Sequence, residues 1–234
     1  MPARREDHRL APIPVAVESG STRTFVCALD WPGWCRSGRD EASALQALLD
    51  SAPRYARVFA RTTLGFRSPD ALSAFRVVER LKGNATTDFG APGVPAQAEA
   101  GPVSDSQLAR MRVSLRAGWR AFDAAVDVAR GRRLRKGPRG GGRDLDAIVR
   151  HVRDAEAGYL LGLGWPFKGS ERADTRDELE RTRKAVLEGL AASARGEIPA
   201  EGPRGGRRWK ARFFVRRLAW HTLDHLWEIE DRLE

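Results

Sequence analysis

Beyond residue 104 the apolar positions recur in alternating steps of three and four, whereas before it they fall in short, dense runs. Leu108, Met111, Leu115, Trp119, Phe122 and Val126 keep the helical step over residues 105–130, and Ser104 stands where a cap belongs. That pattern predicts a long helix with one buried face. A second stripe, Leu145, Ile148, Val152, Tyr159 and Leu163, predicts a helix over 144–163, and a stretch charged mostly on one side predicts a third over 174–194. Residues 207–232 contain neither proline nor glycine and predict a final helix of about 40 Å. Its stripe is Phe214, Val215, Leu218, Leu226, Ile229 and Leu233, and a second apolar patch, Phe213, Trp220, Leu223 and Trp227, lies opposite. A bundle helix buries one face against its neighbours, so the second patch is expected to meet the N-terminal part of the chain, with a second subunit as the other option.

The N-terminal third reads differently. Residues 13–17 and 24–29 are short runs rich in valine, isoleucine, phenylalanine and threonine around Ser19-Gly20-Ser21, which predicts strand, turn, strand. Trp31-Pro32-Gly33-Trp34 ends the second strand, a helix follows from Asp40 with Pro53 as an interruption, and residues 75–81 predict a further strand. Residues 83–103 are loaded with Gly, Pro, Ala and Thr and read as a linker or a wrapping loop. The expected fold class is therefore α+β: a small β-β-α(-β) module over 1–82, a linker over 83–103 and a four-helix bundle over 104–234.

With 234 residues and 41% apolar content the chain can bury a core. No apolar run reaches the roughly 18 residues of a spanning helix, and the charged N-terminus lacks the apolar segment of a signal peptide. A cytoplasmic location and no membrane partner are expected. Cys27 and Cys35 are the only cysteines and are expected as reduced thiols. The net charge of +10 is concentrated in two runs, 130–143 and 204–217, each with seven basic residues. Such runs make an anionic partner, nucleic acid included, the second function class, although the chain lacks a helix-turn-helix pattern and aromatics interleaved with its basic residues.

The candidate chemistry lies in the histidines. His221 and His225 stand four apart on the last predicted helix, so both imidazoles share one face, at the margin of the stripe. His151 occupies the same kind of margin on the second. The loop between helices two and three is long enough to span a bundle, which permits an up-down-down-up order with helices two and four antiparallel. His151 then lies about 10 Å from the start of helix two and His225 about 12 Å from the end of helix four, at one level of the bundle. Glu228, three beyond His225, is a candidate to orient an imidazole or to act as a general base. Glu156, inside the apolar stripe of helix two, needs a buried partner and is a second candidate acid/base. Asp224 lies off the ligand face, and His8 sits in a charged tail.

Two resemblances add to this reading. The segment FVCALDWPGWCRSGRDEASALQALL, through Asp30, Pro32, Gly33, Gly38, Glu41 and Ala42, resembles the HicB-like module, which implies a binding or scaffolding element without catalytic residues. HVRDAEAGYL on the second helix and WHTLDHLWEIE on the last resemble the DinB-like superfamily of metal-binding four-helix bundles. That resemblance implies His151, His221 and His225 as ligands of a divalent ion, zinc or nickel. It also implies a metal-dependent thiol transferase or hydrolase acting on a small electrophilic substrate, with a low-molecular-weight thiol such as mycothiol or bacillithiol as co-substrate. Many members are the bundle alone, so the N-terminal module is a departure. Three histidines leave an open position on the ion, the form of a catalytic site. Arg133, Arg135 and Lys136, in the basic loop at the same end of the bundle, are the expected partners of a co-substrate carboxylate. A non-catalytic metal-binding or sensing protein is the third class.

Overall fold

The computed structural model describes residues 11–136, 142–169 and 175–234. It is a mixed α+β structure, with a four-stranded sheet and, among the described residues, seven helices, the long ones in the C-terminal half. His8 lies outside the described residues.

Strands β1 (Ile13–Ser19) and β2 (Thr24–Ala28) form an antiparallel hairpin with Val17 opposite Val26. Strand β3 (Cys35–Gly38) continues the antiparallel order beyond β2, and β4 (Phe75–Lys82) joins β1 in parallel, for a spatial order β3-β2-β1-β4. β3 was not expected from sequence: four residues without apolar alternation carry no strand signal, and pairing with β2 makes them one. That pairing sets Cys27 opposite Cys35, and the two are joined in a disulfide. The expectation of reduced thiols is thereby corrected. Eight residues of separation placed no constraint on the pair until the Trp31–Trp34 turn folded one strand back on the other.

Helix α1 (Glu41–Asp50) starts at Asp40, whose carboxylate accepts from the Ser43 amide at 2.8 Å. Pro53 does not merely interrupt it. A separate helix α2 (Ala52–Phe59) carries Pro53 in its first turn, where the missing N–H costs nothing. Trp34 anchors the module: its ring stacks on Tyr55 at 5.4 Å and its indole N–H donates to Ser51 Oγ at 3.0 Å.

Residues 83–103 wrap rather than hang free. They hold a short helix α3 (Ala85–Phe89) and are tied at both ends. The buried Glu18 carboxylate of β1 accepts from the amides of Gly93 (2.9 Å) and Val94 (3.0 Å). Further on, Glu99 forms a buried two-point pair with Arg216, Nε to Oε1 at 2.6 Å and Nη2 to Oε2 at 2.9 Å.

The four long helices are α4 (Asp105–Ala129), α5 (Leu145–Leu163), α6 (Thr175–Ala194) and α7 (Ala211–Arg232). All six residues of the predicted α4 stripe are buried. α7 begins later than expected, because residues ahead of it are extended: the Arg208 amide donates to Ala200 and the Trp209 amide to Gly162. Contacts fix the directions. Arg212 reaches Gln107 near the starts of α7 and α4, and Leu134 pairs with Leu233 just past their ends, so these two run the same way. α5 opposes α7, since Gly162 at its end meets Trp209 while His151 near its start meets His221. α6 follows α5: Leu145 and Leu179, near their starts, line one cavity, and Gly189 faces Leu163 and Trp165 near their ends.

The second apolar face of α7 is covered by the sheet side of the chain. Trp220 meets Phe25 edge-on at 5.9 Å, Arg36 lies 3.8 Å over the Trp227 ring, and Gly33 abuts Leu223 and Ala219. A Cβ on Gly33 would stand 2.8 Å from the Ala219 backbone, and the residue has φ +86°, so the turn needs glycine on both counts. One apolar core runs from Val15, Val26 and Trp34 to Phe122, Ile148 and Leu226. Among the described residues no helix is long and apolar enough to cross a membrane.

Candidate metal centre

His151, His221 and His225 converge, as their spacing predicted. Ring centroids are 5.0 Å apart for His151 and His221, 4.8 Å for His151 and His225, and 4.5 Å for His221 and His225. The Nε2 atoms of His151 and His221 face each other at 3.2 Å. Helix α7 supplies two rings from successive turns, and the opposed α5 brings the third to the same level. His221 and His225 are buried and His151 is half-buried.

Burial keeps two of the three rings, His221 and His151, from taking up a proton. Burial, followed by the charges of His225 and His151, pushes His221 down to about 2, so its ring is neutral with a free lone pair. His151 is lowered by the same causes, burial first. His225 Nδ1 lies 2.7 Å from Glu228 Oε2, and this bond is the chief reason the Glu228 carboxyl falls below its ordinary value. A carboxylate on Nδ1 fixes the proton there and leaves Nε2 as the ligand atom. Arg232 then clamps Glu228 through its Oε1, while its other guanidinium nitrogens donate to the carbonyls of Arg135 and Arg143 at 2.8 Å each.

The residues suit a divalent ion. Two imidazoles on one tetrahedral zinc at about 2.0–2.1 Å have nitrogens roughly 3.3–3.4 Å apart, and the closest pair here is at 3.2 Å. All candidate ligand atoms lie within 4.8 Å of one another. Drawing the widest pair onto one ion therefore takes at most about 1.4 Å of motion, shared between two rings. An all-imidazole donor set suits zinc, nickel, copper or iron.

The other sequence candidates fall in three places. Glu228 is in the cluster, as an orienting partner of His225. Glu156 is fully buried, and its main partners are elsewhere: it accepts from Trp119 Nε1 at 2.8 Å, and its Oε2 lies 4.0 Å from Arg183 Nε without a hydrogen bond, while Thr222, next to His221 on α7, also acts on its carboxyl. Burial raises its pKa to about 7. The anion loop is drawn to the end of α7: Arg135 Nη2 donates to the Asp231 carbonyl and the exposed Arg133 pairs with Glu234 at 3.8 Å. Lys136 is exposed.

Two residues beside the histidines were missed from sequence, Arg232, which holds Glu228, and Arg217, whose charge acts on His221. Both stand at the helical interval from a named residue, four beyond Glu228 and four before His221, and that interval was the signal available. No family model matches the chain, and neither a curated protein nor a solved structure matches it.

Proposed function

We propose that the chain is a metal-dependent enzyme of the DinB-like type. On this reading its four long helices form an up-down-down-up bundle, and a divalent ion at His151, His221 and His225 activates a low-molecular-weight thiol or a water toward a small electrophilic substrate. The observation that carries it is the meeting of three imidazoles from two helices seventy residues apart in sequence, one of them already bonded to a carboxylate through its outer nitrogen. Bound there, the ion supplies Lewis acidity, which makes a thiol or water nucleophilic at neutral pH.

The chain's own residues do the rest. Burial holds the His221 lone pair free of protons at physiological pH. Glu228 keeps the proton of His225 on Nδ1, and Arg232 keeps Glu228 in place. Glu228 is thus a positioning residue. Glu156, enclosed by Trp119 and Arg183, is a proton acceptor only for a group that enters beside those two. The N-terminal module, HicB-like on this reading, is a scaffold that braces the far side of α7 through Phe25, Gly33 and Arg36.

Elemental analysis of protein purified without chelator is the first test. About one equivalent of divalent metal is expected, falling to near zero in His151→Ala, His221→Ala and His225→Ala. Metal content unchanged by His221→Ala overturns the reading. Loss of thiol in the presence of an electrophile such as 1-chloro-2,4-dinitrobenzene, abolished by a chelator, then separates an enzyme from a metal-storing or sensing protein.

A further inference from the structure

The half-buried arginines of this chain are mostly accounted for. Arg36 faces Asp224, Arg54 faces Glu230 and Asp231, Arg183 faces Asp123, Arg216 faces Glu99 and Arg232 faces Glu228. Arg217 is different. Its guanidinium lies 5.4 Å over the Tyr159 ring and 4.8 Å over the Trp220 ring, and among the described residues it makes no hydrogen bond and no ion pair. Its Nη1 is buried without a partner. Arg183 and Arg212 also have an orphaned Nε, but Arg183 bonds Asp123 through both terminal nitrogens and Arg212 bonds Gln107 and the Pro102 carbonyl through Nη2.

A guanidinium with aromatic rings against its faces keeps its hydrogen-bond donors along its edge, because all five N–H groups lie in the plane of the fork. Stacking relieves part of the cost of a sheltered cation but satisfies none of those donors. Burial lowers the Arg217 pKa; Tyr159, whose ring it lies over, opposes this first, and Glu18 and Asp224 do so without an ion pair to it.

Its position ties it to the histidines. Phe213, Arg217, His221 and His225 follow one another at intervals of four on α7, so Arg217 stands one turn, about 6 Å along the helix axis, before the first of the two histidines. Tyr159 from α5 bridges the two: one face meets Arg217, and its ring meets His221 edge-on at 5.7 Å. The charge of Arg217 is felt at His221, where it helps to disfavour the imidazolium.

We propose that Arg217 is the anion-recognition residue of the three-histidine site, taking the carboxylate of a small acid through its free edge while the acid's reactive end reaches the imidazoles one turn away. This rests on the metal reading above for the identity of the reactive end and is independent of it for the carboxylate. It replaces the loop arginines Arg133 and Arg135, whose cations are already engaged at the C-terminus of the chain, in that role.

The experiment uses full-length protein and has two arms. In the first, chelator-treated protein labelled at arginine Nε is titrated with acetate, with chloride at equal ionic strength as control. Saturable movement of one Nε–H resonance is expected, and that resonance is absent from Arg217→Met. The methionine keeps an apolar stem between the two rings, and unaltered thermal unfolding shows that it folds. Arg217→Lys, which keeps the charge but loses the fork, is expected to bind acetate about tenfold more weakly. Acetate that moves no such resonance, or that saturates Arg217→Met equally well, overturns the proposal. In the second arm cobalt(II) is added. Wild type and Arg217→Met are expected to give the same visible spectrum, and 3-mercaptopropionate is expected to perturb it at about tenfold lower concentration than 2-mercaptoethanol in wild type only. Equal preference in wild type and variant overturns the link between Arg217 and the site. If no cobalt binds to wild type, the metal reading fails while the acetate arm still decides Arg217.

Discussion

The buried carboxyl of Glu156 makes the stability of this protein depend on pH in a direction opposite to that of an ordinary salt-bridged acid. Its pKa is raised from 4.5 to about 7, burial being the first cause. A raised value means that the fold prefers the protonated form. The contribution of this group is therefore fully present below about 4.5, fades as pH rises, and is lost once pH passes about 7. At about 1.4 kcal/mol for each tenfold change, the rise corresponds to about 3 kcal/mol between the two limits. Glu156→Gln isolates the effect. The amide oxygen still accepts from Trp119 Nε1, and the amide nitrogen takes the place of an Oε2 that has no hydrogen bond to lose. Urea unfolding of both proteins at pH 5 and pH 8.5 is the assay. The glutamine variant is expected to be more stable by less than about 1 kcal/mol at pH 5 and by about 3 kcal/mol at pH 8.5. A difference that is the same at both pH values would refute the assignment of a buried acid that titrates near neutrality.

Three further perturbations probe the elements that hold the site. Glu228→Gln removes the charge that orients His225 and pairs with Arg232, and is expected to weaken metal binding about 10- to 100-fold in chelator competition; affinity equal to wild type would mean that Glu228 is an ordinary surface glutamate. Arg216→Met strands the buried Glu99 carboxylate and is expected to cost about 3–5 kcal/mol in urea unfolding, with part of this recovered when Glu99→Gln is added. Gly33→Ala places a side chain at φ +86° and against the Ala219 backbone, so a loss of at least about 1–2 kcal/mol is expected, and a neutral result would show that the turn does not rest on α7.

What was legible in the sequence is what rests on periodicity. The faces of α4 and α7 could be read because their neighbours demand an apolar residue at each turn, and the same arithmetic set His151 level with His221 and His225. What could not be read depends on partners distant in sequence. Cys35–Gly38 becomes a strand only because β2 lies beside it, and the disulfide exists only because that pairing puts Cys27 opposite Cys35. Glu99, in a segment whose composition suggested a spacer, is a buried acid because Arg216 waits for it on α7, more than a hundred residues away. Leu160, absent from the predicted stripe of α5, is buried, while Tyr159, included in it, turns its ring toward Trp209 and His221. At that point the helix gives up part of an apolar face to the site.

The two halves of the chain meet on α7, and this bears on what the sheet does for the three-histidine cluster. A helix with one apolar face can still rotate about its axis by small amounts, and a rotation moves two side chains on successive turns away from a third on another helix. α7 is gripped on both sides: Phe214, Leu218 and Leu226 face the other long helices, while Trp220, Leu223 and Trp227 are held by Phe25, Gly33 and Arg36. The Glu99–Arg216 pair adds a polar lock one residue from Arg217. His221 and His225 lie between these two contacts, at the seam where neither face is free to shift. Three imidazoles from two helices stay within reach of one another only if the helix that carries two of them is fixed in rotation. The sheet supplies that restraint on the face of α7 turned away from the other long helices.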